Sequence, residues 1–268
     1  MQVEICTEPD GAALRVKRKV NESELTQRIV LGHDALRLDF VTEIDWREKH
    51  KMLKVAFPVS VYAREAIEEV QFGYVKRPTH RSKQSDRDRY EVSNQRYTAL
   101  CDGGAGAAVL NDCKYGVNVL SNEIRLTLLK APMMPDMYAD LGRHEFTYSF
   151  CPFVGQFEHS DVLRQAAQLN EGVILGGELQ ECGAIFVGDR KNIVVETIKP
   201  SDTVENALLV RAYEAMGMQT DVQFTLSDRV RRVVETDMLE ENGRECLSNG
   251  TLQASFGAFE IKTFLLYL

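Results

Sequence analysis

A chain of 268 residues has room for one large β domain or two smaller ones. Its 44% hydrophobic and 27% charged residues and its formal net charge of −8 exclude a broad nucleic-acid surface, which needs clustered lysine and arginine. No apolar run approaches the roughly 18 residues of a membrane-spanning helix, so no membrane segment is expected.

The opening, MQVEICTEPDG, has neither a basic start nor an apolar stretch, so no signal peptide is expected. Ala12–Val20, Leu25–Leu31 and Leu36–Ile44 then alternate apolar and polar residues, the period of a half-buried strand. Leu36, Leu38, Phe40, Thr42 and Ile44 share one face. Met52–Val61 follows, broken by Pro58, then Glu69–Tyr74. Turn signals at Asn21, Gly32-His33-Asp34 and Trp46–Lys49 join these runs as antiparallel strands. Arg77–Tyr90 (RPTHRSKQSDRDRY) is charge-dense and reads as a long exposed loop. Asn94–Leu100, Ala105–Leu110, Ile124–Leu129 and Glu145–Phe150 resume the strands. Ser160–Asn170 is the one predicted helix. Ser160 or Asp161 caps it, Val162, Leu163, Ala166, Ala167 and Leu169 form its apolar stripe, and Gly172 stops it. Gly176-Gly177 reads as a linker. Short strands then restart at Ala184–Val187, Ile193–Ile198, Ala207–Ala212, Thr220–Leu226, Arg229–Thr236, Thr251–Ala254 and Ile261–Leu266. The spacing predicts an all-β chain, with a large antiparallel domain over 1–175 and a smaller β-sandwich over 176–268.

None of the 6 cysteines forms a C-x-x-C pair. Cys151 and Cys182 flank strand-like runs, as free buried cysteines do. The spacing predicts reduced thiols in a cytoplasmic protein rather than a disulfide framework or a zinc site.

Polar groups concentrate in Asn111-Asp112-Cys113-Lys114-Tyr115-Gly116 and in the loop from Pro132 to His144. Loops at strand ends are where binding groups are carried. Asp112 and Asn111 can accept from hydroxyls, Lys114 can donate, and Tyr115 can stack and hydrogen-bond. The same residues also suit Asx-type turns and a hairpin. Arg143 suits bidentate bonds to carboxylates and His144 suits proton transfer, although an Arg-His pair at a strand start also serves as an anchor. Asp45-Trp46 reads as a packing and turn element.

Several stretches resemble glycoside hydrolase family 38, the α-mannosidases, in its C-terminal half. They are TEIDWREKHKMLKVAFP within Phe40–Pro58, FGYVKRPTH (Phe72–His80), LNDCKYG (Leu110–Gly116), LTLLKAP (Leu126–Pro132) and GRHEFTYSFCP (Gly142–Pro152). LVRAYEAMG (Leu209–Gly217), ETDMLE (Glu235–Glu240) and FEIKTFL (Phe259–Leu265) resemble its terminal sandwich. The matches fall in family order from about Leu14 to Leu268. The resemblance implies an antiparallel supersandwich like that of galactose mutarotases, one connecting helix, and a small β-sandwich. It also implies retaining hydrolysis of α-mannosides, which needs two carboxylates about 5 Å apart and, in this family, zinc or another divalent metal. Those groups lie on an N-terminal barrel. Its βαβ alternation and its early H-x-D metal motif are absent here, so no catalytic residue and no metal ligand is assigned to this chain. The resemblance implies that Asn111, Asp112, Lys114, Tyr115, Arg143 and His144 close one side of a sugar pocket in the intact enzyme. Golgi-type relatives often carry Arg at the position of Tyr115, which weakens carry-over of that side chain.

The implied partners are an α-mannoside, an N-terminal catalytic domain and a second copy of the chain. Family members carry further strands before the segment matching Ala12–Val20, so an open sheet edge and a homo-oligomer are expected. The alternative is that Met1–Gly11 folds back over that edge. Two other function classes stay open at this point. One is a stand-alone mutarotase-like enzyme using His33, His80 or His144 with Glu43, Glu69 or Glu145. The other is a carbohydrate-binding module.

Overall fold

The predicted alternation becomes strand pairing in the computed structural model, which describes residues 1–8, 11–172, 186–246 and 251–268. They form two compact units: Met1–Val70 with Val75–Val173, and Gln71–Tyr74 with Ile174–Leu268.

The first unit is built on β1 (Gln2–Glu8), β2 (Gly11–Val20), β3 (Ser23–Gly32), β4 (Leu38–Trp46), β5 (Met52–Pro58), β6 (Glu65–Val70) and β7 (Gly73–Pro78). It continues with β8 (Val92–Ser93), β9 (Tyr97–Cys101), β10 (Ala105–Asn111), β11 (Gly116–Leu120), β12 (Glu123–Lys130) and β13 (Gly142–Val154). A 9-stranded sheet runs in the order β1-β2-β3-β4-β13-β10-β9-β6-β7, and a 4-stranded sheet runs β5-β12-β11-β8. In β4, Thr42, Ile44 and Trp46 are buried while Glu43 is exposed. In β12, Ile124, Leu126 and Leu128 face the same core from the opposite sheet. Each such buried aliphatic side chain contributes about 1.5–3 kcal/mol. A register shift between Thr127 and Leu129 inserts an extra residue in β12, so Leu128 and Leu129 are both buried. Phe57 of β5 reaches into the large sheet's aromatics, stacking on Phe150 at 5.4 Å and meeting Phe40 edge-on at 5.7 Å. The sole tryptophan, Trp46, is 2% exposed in this core, as the packing reading of Asp45-Trp46 expected.

On the other face of the large sheet, α2 (Val162–Asn170), which follows a short helix α1 (Gln84–Asp88), contacts β9, β10 and β13. Cover on both sides explains why Gly106–Asn111 is buried without alternation.

The second unit carries β14 (Phe186–Gly188), β15 (Ile193–Pro200), β16 (Ala207–Glu214), β17 (Thr220–Leu226), β18 (Arg232–Thr236), β19 (Arg244–Cys246), β20 (Thr251–Phe256) and β21 (Ile261–Tyr267). Its sheets run β14-β17-β20 and β15-β16-β21-β18-β19. Phe186, Phe224, Phe256 and Phe264 fill its core. The carboxylate of buried Glu214 gathers the amides of Met216, Gly217, Met218 and Phe259 and the side-chain amide of Asn192.

Several local expectations are corrected. Glu69–Tyr74 is a hairpin rather than one strand: the chain turns at Gln71-Phe72, with Phe72 at φ 60°. Its ring packs edge-on against Tyr213 at 5.3 Å, which holds a backbone conformation an aromatic residue seldom adopts. The stretch Arg77–Tyr90 is not all loop. It contains α1, whose start is tied by the Lys83 amide donating to Asp86 Oδ2. Asn94 lies outside the strands, its amide bound to the Tyr115 carbonyl. The Ser160–Asn170 helix begins at Val162, without a side-chain cap from Asp161. It ends at Asn170, as expected, and the Glu171 amide donates to the Ala167 carbonyl. The leader forms β1, paired along its length with β2 from Gln2↔Lys17 to Glu8↔Gly11. The Gly176-Gly177 linker, Cys182 and the start of Ala184–Val187 lie outside the described residues.

Candidate functional site

β10 ends at Asn111, and the chain leaves its sheet edge through Asp112–Tyr115 to start β11. Asn111 is fully buried. Its Nδ2 donates to the Gln95 carbonyl at 2.8 Å and its Oδ1 accepts from the Lys114 amide at 2.8 Å. Its carbonyl accepts from Asn170 Nδ2 of α2. The side chain is thus committed to shaping the loop, the Asx-type turn the sequence also allowed.

Asp112 clamps the loop to β13. Its Oδ2 accepts from the Thr147 amide at 2.7 Å, and its own amide donates to the Thr147 carbonyl at 3.1 Å. Its Oδ1 is buried with no hydrogen-bond partner among the described residues. Lys114 Nζ lies 4.4 Å from the centre of the Phe146 ring, a cation–π contact. Tyr115 is 51% exposed. Between them, local burial and the Asp112 carboxylate push the exposed Cys113 thiol up to about 11.

Arg143 and His144 stand at the start of β13, opposite Asp45 and Ile44 of β4. Successive residues of a strand face opposite sides, so His144 shares the Phe146 face and Arg143 points the other way. Arg143 is an exposed side chain 3.4 Å from both Glu43 and Glu145. His144 Nε2 sits 2.9 Å from the Asp140 carbonyl. The structure therefore gathers Asn111, Asp112 and Lys114 beside Phe146 and Thr147. Arg143 lies about 13 Å along the strand from Thr147, at 3.3 Å per residue, on the opposite side from His144.

Glu69 is bound by Arg96, with Nη2 to Oε1 at 2.9 Å. Among the described residues the nearest histidine–carboxylate approach is His80 Nδ1 to Asp86 Oδ2 at 4.0 Å, and no group of three or more His, Cys, Asp or Glu is arranged to hold a metal ion. No described helix is long and apolar enough to cross a membrane. A polar group that sequence reasoning passed over is Asn118 of β11, buried with both amide atoms unpaired. Its position between Val117 and Val119 looks like ordinary outward alternation, so only the tertiary fold reveals it.

Two family models match in order. The model for the glycosyl hydrolases family 38 C-terminal domain covers residues 1–138, and that for the glycosyl hydrolases family 38 C-terminal beta sandwich domain covers residues 192–264. The chain is 37% identical to human alpha-mannosidase 2C1 over 255 residues, which are 92% of this chain and 24% of that protein. Alpha-mannosidase G of Dictyostelium discoideum is 34% identical, across 90% of this chain and 23% of that protein. The chain thus spans about a quarter of the length of the curated relatives it matches. The crystal structure of an alpha-mannosidase from Enterococcus faecalis V583 superposes with a TM-score of 0.78 at 18% identity, over 99% of this chain and 35% of that one. That likeness supports the all-β fold.

Proposed function

Because the chain belongs to glycoside hydrolase family 38, in its C-terminal region, we propose that it serves as the non-catalytic C-terminal portion of a retaining α-mannosidase. The observation that carries this reading is the ordered pair of family matches on a chain a quarter as long as its relatives. In this reading the carboxylate pair and the zinc or other divalent metal belong to an N-terminal catalytic domain. The loop around Asp112–Tyr115 closes one side of the sugar pocket. Asp112 Oδ1 is an acceptor without a hydrogen-bond partner among the described residues, and Tyr115 supplies an exposed ring. Asn111 shapes the loop rather than touching sugar.

A reducing, cytoplasmic setting agrees with the free Cys6, Cys101, Cys113, Cys151 and Cys246. We propose self-association at the outer edge of β1, a reading supported by its place as the end strand of its sheet and by the exposure of Val3 and Ile5; sedimentation at micromolar concentration tests it, and a monomer refutes it. For the main proposal, the purified chain should not turn over 4-nitrophenyl α-mannoside. Turnover that is abolished by a substitution within the chain would overturn it.

A further inference from the structure

Asn118 sits at the centre of β11, between Val117 and Val119, whose side chains pack in the first unit's core. Alternation turns the Asn118 amide to the outer face of the 4-stranded sheet, where a side chain would ordinarily meet water. Instead the residue is only 2% exposed, and among the described residues neither Nδ2 nor Oδ1 has a partner. A buried amide with both ends unmet is rare and unfavourable.

The amide opens into a pocket with about 480 Å³ of empty space, its mouth included. One wall carries Glu68 and Arg77, which bind each other, and Arg77 also donates to the Ser93 carbonyl. Burial pushes the Glu68 carboxyl up, while Arg77 opposes that shift. Asp86 is held by the Lys83 amide, with the His80 ring nearby. The remaining charges at the pocket are Arg81 and Arg89. Arg81 lies 4.7 Å over the Tyr90 ring, which fixes its guanidinium. Among the described residues neither arginine has a carboxylate partner. The lining thus holds three arginines against two carboxylates, in a chain of net charge −8.

We propose that this pocket binds a small hydroxylated anion, of the sugar-phosphate or sugar-acid class. Asn118 offers one donor and one acceptor side by side, the complement of neighbouring hydroxyls. Arg81 and Arg89 supply charge-assisted bonds to the anionic group. The pocket shares no residue with the loop at Asn111–Tyr115.

Calorimetric titration of the purified chain tests the assignment. The probes are glucose 6-phosphate and glucuronate, which separate the two anionic classes, with glucose and inorganic phosphate as the separate halves. Saturable binding is expected for at least one of the two hydroxylated anions, tighter than for either half. The double variant Arg81→Ala/Arg89→Ala, altered only at the pocket rim, should weaken that binding at least about tenfold, the loss expected from charge-assisted bonds. Asn118→Leu should abolish binding and leave the chain at least as heat-stable, because it removes two unmet polar atoms. No saturable binding of either anion, equal binding of inorganic phosphate or glucose, or unchanged affinity in the double variant would each overturn the proposal. If Asn118→Leu does not fold, the double variant alone decides.

Discussion

Glu214→Gln is the sharpest test of what holds the second unit together. The carboxylate is fully buried at the end of β16. Oε1 accepts from Asn192 Nδ2 at 2.9 Å and the Met216 amide at 2.8 Å. Oε2 accepts from the amides of Gly217 at 2.7 Å, Met218 at 3.0 Å and Phe259 at 3.1 Å. All five groups are donors, and only an acceptor with two oxygens meets them. Glutamine has one. If its oxygen keeps Gly217, Met218 and Phe259, its NH₂ group faces the Met216 N–H. The Asn192 amide can rotate to present its oxygen, but a backbone N–H cannot. One orphaned buried amide costs about 1–3 kcal/mol. Weaker neutral bonds at the other three amides add a similar loss, which relief from burying a charge offsets. The net expectation is about 2 kcal/mol for Glu214→Gln. It rises to at least about 4 kcal/mol for Glu214→Ala, which strips all four backbone amides. With a urea slope of about 2 kcal/mol per molar, Glu214→Gln lowers the unfolding midpoint by about 1 M. Hydrogen exchange adds a local readout: the amides of Met216, Gly217, Met218 and Phe259 should lose protection first. An unshifted midpoint with those four amides still protected, or Glu214→Ala no worse than Glu214→Gln, would refute the reasoning.

Acid should loosen both units through specific carboxylates. Burial opposes the charge on Glu240, but Ser201, Asp202 and Thr203 bind it and hold its carboxyl at about 2, while the Lys51 bond first of all, with the Glu22 amide and Ser23, brings Glu48 to about 2. The stability these groups add is complete above their ordinary value of 4.5 and is lost as pH falls toward 2; urea midpoints between those limits should fall more gently in Glu240→Gln and Glu48→Gln, and parallel curves would count against the assignment. Cys113 is exposed, yet its thiol is pushed up to about 11. At neutral pH it should therefore alkylate with iodoacetamide at least about tenfold more slowly than a free thiol of pKa about 8.5, its much smaller thiolate fraction being offset only in part by the greater nucleophilicity of a more basic thiolate; mass spectrometry of the labelled peptide reads this, and labelling at the free-thiol rate would contradict it. Asp112→Ala should cost about 1.5 kcal/mol in urea unfolding, since the Thr147 amide loses a charged acceptor; an unchanged midpoint would show that the clamp carries no energy.

Much of this architecture was legible because its strands have one wet face and one dry face. In β17, buried Val222, Phe224 and Leu226 alternate with exposed Asp221, Gln223 and Thr225, and the sequence carries that period plainly. β1 was missed for the converse reason. Val3 and Ile5 are exposed, so the strand has no core face to write a period into the sequence. The hairpin tip at Phe72 was read as strand because a bulky aromatic at positive φ is not a turn signal; packing against Tyr213 imposes it. In the candidate site, residue types located the loop but not its internal division of labour. Whether the Asn111 amide faces a ligand or the Gln95 carbonyl depends on a strand that is distant in sequence. Asn118 was invisible for a related reason: the segment that buries it folds over from residues 77–92.

The placement of Trp46 decides what intrinsic fluorescence can report. The indole is buried in the first unit's core, which also holds Leu25, Ile44 and Phe146, and among the described residues its Nε1 has no hydrogen-bond partner. An indole in so apolar a setting should emit toward the blue and shift red when that core opens to water. The second unit has tyrosine and phenylalanine but no tryptophan. Emission excited selectively at the indole therefore follows the melting of one unit alone. An engineered tryptophan at Phe264, in the second unit's core, would give the other its own signal.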